Sequence, residues 1–297
     1  MIPWTVTVLL CVILFLFKLE KKTTAKQDGL YPPQVRSIPF IGGFLWFFTK
    51  NMSKTFMDIG KEYGPIARTY MGWNELIVLN SPNSVKEAGK VAALGGQADL
   101  LITRVMNGKG IIWADDAKEQ RKFVLKNFKH LEISKELEST ILDEVTRFFD
   151  RLKAHENDVF DFKHAFGIHT VNAMFQILFG VRLPPNDPEV QHILDQLEIL
   201  AELRNPIMRL CFYFPSLADW FPSSLSGKAF LEKFASDFYK SVKRNMEINQ
   251  KSRTEKLPRN FSDAIMDKVA ETSDESSVFH ASHDESIPII IDMIAAA

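Results

Sequence analysis

With 297 residues, 46% of them hydrophobic and 25% charged, the chain is long enough for one large domain or two ordinary ones and apolar enough for a sizeable core. A formal net charge of −1 argues against nucleic-acid binding through bulk charge. Two cysteines, Cys11 and Cys211, give neither a disulfide framework nor a zinc spacing, and the seven histidines include no His-Glu-x-x-His.

Met1 to Phe17 is almost wholly apolar and uncharged, at the short end of the roughly 17–25 residues a helical membrane span requires. Lys18, Lys21, Lys22 and Lys26 follow it. No positive segment precedes the run and no small-residue cleavage site follows, so a retained signal-anchor with a cytoplasmic body is expected rather than a removed secretory signal. Residues 18–43 read as a basic, proline-rich linker: Pro32, Pro33 and Pro39 favour extended chain until Gly42-Gly43 breaks it. The globular body is expected over 44–297.

In that body a helix is expected over Asn51–Tyr63. Strands over Ile66–Tyr70 and Leu76–Leu79 flank the turn cluster Gly72-Trp-Asn, and a helix opened by Ser81-Pro82 runs through Lys90. Val91–Asn107 reads as irregular. Ala117–Lys129 reads as a helix at about 100° per residue. On that wheel Ala117, Arg121, Val124 and Phe128 share one stripe, apolar except for the arginine, while Lys118, Lys122, Lys126 and Lys129 share the next. The guanidinium of Arg121 is therefore expected to point inward, where it needs an anionic partner. Asp115 and Asp116 are better placed to cap the helix, so that partner is either a sequence-distant acid or a ligand. The lysine stripe is a solvated face or a docking surface for an acidic partner.

Further helices are expected over Ile133–Leu152, His164–Phe179 with Gly180 as its stop, Asn186 to about Leu203, and Ser224–Arg253. Phe214–Pro222 reads as an exposed aromatic loop and Glu271–Ser286 as a polar surface loop. The chain closes on the apolar Ile287-Pro-Ile-Ile-Ile-Asp-Met-Ile-Ala-Ala-Ala.

Several stretches taken together resemble microsomal cytochrome P-450. Pro32-Pro33 and Pro39-Phe-Ile-Gly42 are similar to that family's hinge. Lys61-Glu-Tyr-Gly-Pro-Ile is similar to the exit of its first helix, and Gly108-Lys-Gly-Ile-Ile-Trp-Ala-Asp-Asp followed by Lys118-Glu-Gln-Arg to its helix C. Asn172-Ala-Met-Phe-Gln-Ile-Leu-Phe-Gly-Val-Arg is similar to helix E, Pro258-Arg-Asn-Phe-Ser-Asp-Ala to a Pro-Arg-Asp-Phe-x-Asp-Ala motif, and Asp292-Met-Ile-Ala-Ala296 to the opening of helix I. The order is collinear over the whole chain. The departures are Ala117 where the family has tryptophan, a shortened approach to helix C, Asn107 where an arginine often stands, and Ala297 in place of glycine.

The resemblance implies a mainly α-helical fold with a small β-sheet near the N-terminus, running from helix A to the start of helix I behind a transmembrane anchor. It implies a monooxygenase that uses haem b and NADPH-derived electrons, delivered by a flavoprotein reductase, to insert one oxygen atom of O2 into a lipophilic substrate at the endoplasmic reticulum membrane. Arg121 matches the arginine that holds a haem propionate, Ala296 matches a haem-side position of helix I, and Lys118, Lys122, Lys126 and Lys129 are the candidate reductase surface. No Phe-x-x-Gly-x-Arg-x-Cys is present, so residues 44–297 are expected to form an incomplete domain without the iron-ligating cysteine, with no catalytic or metal-binding residue of their own. A non-catalytic, membrane-anchored helical protein or a degenerate truncated gene product is the alternative.

Overall fold

The computed structural model describes residues 31–36, 52–71, 74–130, 133–154, 165–184, 187–202 and 205–296. The expected anchor at 1–17 and most of the linker at 18–43 lie outside these residues. Among the described residues no helix is long and apolar enough to cross a membrane.

The chain divides into two units, Met1–Gly95 and Gly96–Ala297. The first holds helix α1 (Met52–Tyr63), antiparallel strands β1 (Ile66–Met71) and β2 (Asn74–Leu79), and helix α2 (Pro82–Ala88). Ile59 of α1 and Ala67 of β1 share a small core with Val35 of the linker. Arg68 is 3% exposed; it is tied to Glu75 at 3.3 Å and to the Gln34 side chain at 3.0 Å, which fastens the linker to the sheet. Ser81 caps α2 through a reciprocal box with Ser84, as its place before Pro82 predicts. Strand β2 begins two residues earlier than expected, and α2 stops at Ala88 rather than Lys90.

The second unit is helical: α3 (Leu101–Val105), α4 (Lys118–His130), α5 (Ile133–Ala154), α6 (Gly167–Phe179), α7 (Pro188–Glu202), α8 (Pro206–Tyr213), α9 (Lys228–Ser252), α10 (Phe261–Glu271) and α11 (Ser286–Ala295). The expected mainly α architecture with one small sheet is present. Helices α3 and α8 fall in segments read as irregular or left unassigned. Each is short and carries two or three buried side chains, Leu101 and Ile102 in α3 and Met208, Cys211 and Phe212 in α8, so tertiary burial rather than local pattern stabilises it. The aromatic loop is likewise only partly exposed: Phe214 and Ala218 are buried while Trp220 is 81% exposed.

The core of this second unit is one cluster of described residues in which α11 packs on α9, α6 and α10. Helix α6 ends at Gly180 in the left-handed conformation (φ 71°). The fully buried Asn172 then binds both polar groups of Leu183, accepting from its N–H at 2.8 Å and donating to its carbonyl at 3.1 Å. In the Pro258-Arg-Asn-Phe-Ser-Asp motif, Asn260 caps α10 by accepting from the Asp263 N–H at 3.0 Å, and Arg259 pairs with the buried Asp263 at 2.8 Å. The motif is thus a helix-starting device.

Candidate functional site

The site is assembled from α4, the turn that precedes it, and α11. Asn107, Gly108 and Gly110 all have positive φ, at 54°, 62° and 90°, so the chain between α3 and α4 doubles back sharply. The resulting turn presents three successive N–H groups to acids near and within α11. Gly110 donates to Glu285 Oε2 at 3.0 Å; Ile111 and Ile112 donate to Asp292 Oδ2 at 2.5 and 2.8 Å. The Lys109 ammonium adds a bond to the His283 carbonyl. A Cβ on Gly110 would lie 2.3 Å from Asp292 Oδ2, so the contact demands glycine on steric grounds as well as conformational ones.

Asp292 is 2% exposed and is the one charged residue of its helix, and its Oδ1 is buried with no hydrogen-bond partner among the described residues. Burial pushes its pKa up to about 6, against the pull of the Ile112 and Ile111 N–H groups and helped by the nearby Glu285 charge. The sequence resemblance places Asp292 in a helix opening and assigns it no role. The signal was nevertheless available, because a single carboxylate in the run Ile289–Ile294 must find donors outside its own helix.

Arg121 lies elsewhere than the helical wheel suggested. The buried face of α4 is Ala117 and Gln120, at 3% and 2% exposure, flanked by Phe123, whose ring packs on Phe279 at 4.8 Å and on Phe261 at 5.8 Å. Relative to the predicted stripe that face is turned by about one residue, which leaves Arg121 at the edge and exposed. The physical reason is the desolvation cost of an unpaired guanidinium, which a small rotation of the helix avoids. Its Nη2 donates a long hydrogen bond to the Ile111 carbonyl at 3.4 Å. No distant acid among the described residues pairs with it. Asp116 instead accepts from the Lys118 N–H at 3.1 Å and caps α4, which holds its carboxyl below the ordinary range, while Asp115 turns to the Gln97 N–H at 3.4 Å.

Arg121 and α11 therefore meet through one residue: Ile111 gives its carbonyl to Arg121 and its N–H to Asp292. Ala296 follows one turn after Asp292, bonded through its N–H to the Asp292 carbonyl at 3.0 Å, and is exposed at the end of α11. Lys118, Lys122, Lys126 and Lys129 are all exposed, Lys118 in an ion pair with Asp116 at 3.3 Å.

Among the described residues the one cysteine, Cys211, offers no ligand chemistry. Cys211 is fully buried in the core, where desolvation pushes its thiol pKa up and away from the thiolate. Cys11 lies outside the described residues. Among the described residues no group of histidine, cysteine and acidic side chains could hold a metal ion. His169 bonds Glu144 through Nδ1 at 2.7 Å, while its Nε2 is buried with no hydrogen-bond partner among the described residues.

Comparison with known proteins bears on the same stretch. The family model described as Cytochrome P450 matches residues 32–297, which includes the turn, α4 and α11. The chain belongs to the cytochrome P450 family. Similar proteins include Cytochrome P450 2C20 of Macaca fascicularis, 26% identical over 283 residues, which cover 92% of this chain and 56% of the relative. Cytochrome P450 2H1 of Gallus gallus is 26% identical with the same two coverages, and Cytochrome P450 2C7 of Rattus norvegicus is 26% identical over 95% of this chain and 58% of its own length. The chain spans about half the length of the curated relatives it matches. A cytochrome P450 chain is expected to carry a haem-propionate donor and a thiolate ligand. The exposed guanidinium of Arg121, with one long bond, fits the first requirement. No described residue fits the second.

Proposed function

We propose that this chain supplies the propionate side of the haem pocket of a haem-dependent monooxygenase, one that inserts an oxygen atom of O2 into a lipophilic substrate using electrons from NADPH. The observation that carries the reading is the position of Arg121. Its guanidinium is exposed, beside a turn that two α11-side acids bind, and among the described residues it is committed to no carboxylate. A propionate is the anionic partner it lacks, through charge-assisted hydrogen bonds. Haem, when bound, supplies the oxygen chemistry. Arg121 would hold one of its carboxylates, and the Asp292-braced turn would fix the height of Arg121 through Ile111. Ala296 would lie on the haem-facing side of α11.

In the same reading, residues 1–17 anchor the protein in the endoplasmic reticulum membrane, residues 18–43 are the linker, and residues 44–297 are the portion of the domain ahead of the ligand cysteine. Lys118, Lys122, Lys126 and Lys129 form the face offered to an NADPH-dependent flavoprotein reductase, whose acidic surface would be steered by them. The second reading, a non-catalytic membrane-anchored helical protein, gains from one observation: Ala117 is buried where the family carries its second propionate donor.

Titration of the purified 297-residue chain with ferric haem, followed at the Soret band, separates the two. The first reading expects saturable binding that Arg121→Ala weakens about tenfold, the cost of one hydrogen bond to a charged group. Arg121→Lys should recover part of it. The reduced carbon-monoxide difference spectrum of this chain should lack a thiolate-type band. Haem binding indifferent to Arg121→Ala would remove the assignment, and absence of saturable binding would favour the non-catalytic protein.

A further inference from the structure

We infer that the groove between α4 and α10 is a binding site for a small amphipathic anion, with a carboxylate or sulfonate head on a flat apolar body. This rests on neither the family assignment nor the propionate reading. The groove encloses about 560 Å³, within the range of small-molecule sites. Its apolar floor is formed by Phe123 and the fully buried Phe279, whose rings lie 4.8 Å apart, with Pro258 and Ala264 beside them.

The rim is cationic. Lys122 and Lys126 enter from α4, Lys256 from the turn after α9, and Lys268 from α10. None of the four is in an ion pair with a described residue. The acids of the rim are mostly engaged elsewhere. Glu119 accepts from Ser277 Oγ at 2.7 Å and from the Val278 N–H at 3.2 Å, and Asp267 accepts from the Lys256 N–H at 3.2 Å and pairs with Arg253 at 3.5 Å. Glu271 is the third acid. With Asp267 offset by Arg253, the four lysines outweigh Glu119 and Glu271. The Lys268 ammonium lies 5.4 Å from the Phe279 ring centroid, joining the cationic rim to the aromatic floor.

Four ammonium groups around an aromatic floor of two tilted rings select a ligand that is both anionic and apolar. A neutral apolar compound would leave the lysines without a counter-charge, and a hydrophilic anion would leave Phe123 and Pro258 wet. The size of the hollow favours a single small molecule over an extended chain. Lys122 and Lys126 belong also to the proposed reductase face, so occupancy of the groove would alter the charge offered there.

Equilibrium dialysis of the full chain against 2-naphthoate tests this, with 2-naphthylmethanol as the neutral counterpart. Saturable binding near one equivalent is expected, at least tenfold tighter than the alcohol and weakened at least fivefold by Lys122→Gln combined with Lys268→Gln. Lys243→Gln, an exposed lysine on α9, should leave it unchanged. In parallel, naphthoate should protect Lys122, Lys126, Lys256 and Lys268 from amine acetylation read by mass spectrometry, and should not protect Lys243. This second readout does not depend on a variant's folding. Equal binding of the alcohol, binding unaffected by the double variant, or uniform acetylation would overturn the site. So would an acidic peptide that binds these lysines while naphthoate does not, which would make the groove a protein-docking surface. Because haem is absent from every arm, failure here leaves the Arg121 assignment standing, and loss of the Arg121 effect leaves this site standing.

Discussion

Asp292 combines two opposed demands in one carboxylate. Its Oδ2 accepts from Ile111 and Ile112, which stabilises the ionised form, while burial among isoleucines raises the cost of that same charge and prevails. The consequence for pH is definite in sign. The folded pKa, about 6, lies above the ordinary 3.8, so the folded state binds this proton more tightly than the unfolded chain does. Stability contributed by the protonated acid is fully present below about pH 3.8 and is lost as pH rises to about 6, some 3 kcal/mol in all from the two pKa values. Asp292→Asn keeps one oxygen acceptor and removes the charge. It should flatten the denaturation free energy between pH 4 and 6.5 and be no less stable than the parent at pH 7.5 by urea titration. Asp292→Ala strands the two N–H groups and should cost about 2 kcal/mol at the same pH. A parent whose stability rises through this window after correction for its other carboxylates would contradict the assignment. Gly110→Ala should be worse still, since its Cβ would lie 2.3 Å from Asp292 Oδ2 and φ is 90°.

Between elements, α5 and α6 are joined through Glu144. It is 3% exposed, yet Arg182 grips it through Nε and through Nη2 at 3.2 Å, and His169 bonds it at 2.7 Å. Burial alone would raise its pKa, but Arg182 and His169 more than offset that and hold it below the ordinary value. Its stability contribution is therefore present above the ordinary carboxylate range and is lost as pH falls through the lowered folded value. Glu144→Gln should remove the acid limb of the stability profile and lower stability at pH 7 by about 2 kcal/mol, because Arg182 loses its counter-charge; thermal melts at several pH values would show it. A flat response would mean that Arg182 finds water instead. This link also marks what the sequence could convey. Helices α4, α5, α6 and α9 were legible because their apolar period is long and their stops, such as Gly180, are chemical. The Glu144–Arg182 pair was not, since its members are 38 residues apart and each alone reads as a surface charge. Arg121 failed for a related reason: a wheel assigns 100° steps but cannot set the phase of the buried face, which Gln120 and Phe123 decide by packing.

At the scale of the molecule, a family member spanning about half the length of its relatives has helix faces that the described residues do not cover. The clearest is on α5, where Leu142 and Phe149 are 56% and 53% exposed and Ile141 and Val145 are 45% and 40%. Beside them a hollow of about 320 Å³ runs down to Phe148 and Met174, with Glu144 at its base. A contiguous apolar surface of this kind on a monomer drives self-association through the same burial that builds a core. The described chain should therefore associate at micromolar concentration even where the N-terminal apolar run is held in detergent or lipid. Leu142→Lys combined with Phe149→Lys tests this directly, because both side chains project from the exposed face without lining the hollow. Sedimentation velocity should show the monomer fraction rise severalfold. The thermal midpoint should move little, since exposed substitutions usually stay within about 0.5 kcal/mol. If the double variant associates as strongly as the parent, the α5 face is not the contact, and the burial of Leu142 and Phe149 would have to be supplied by other residues of the same chain.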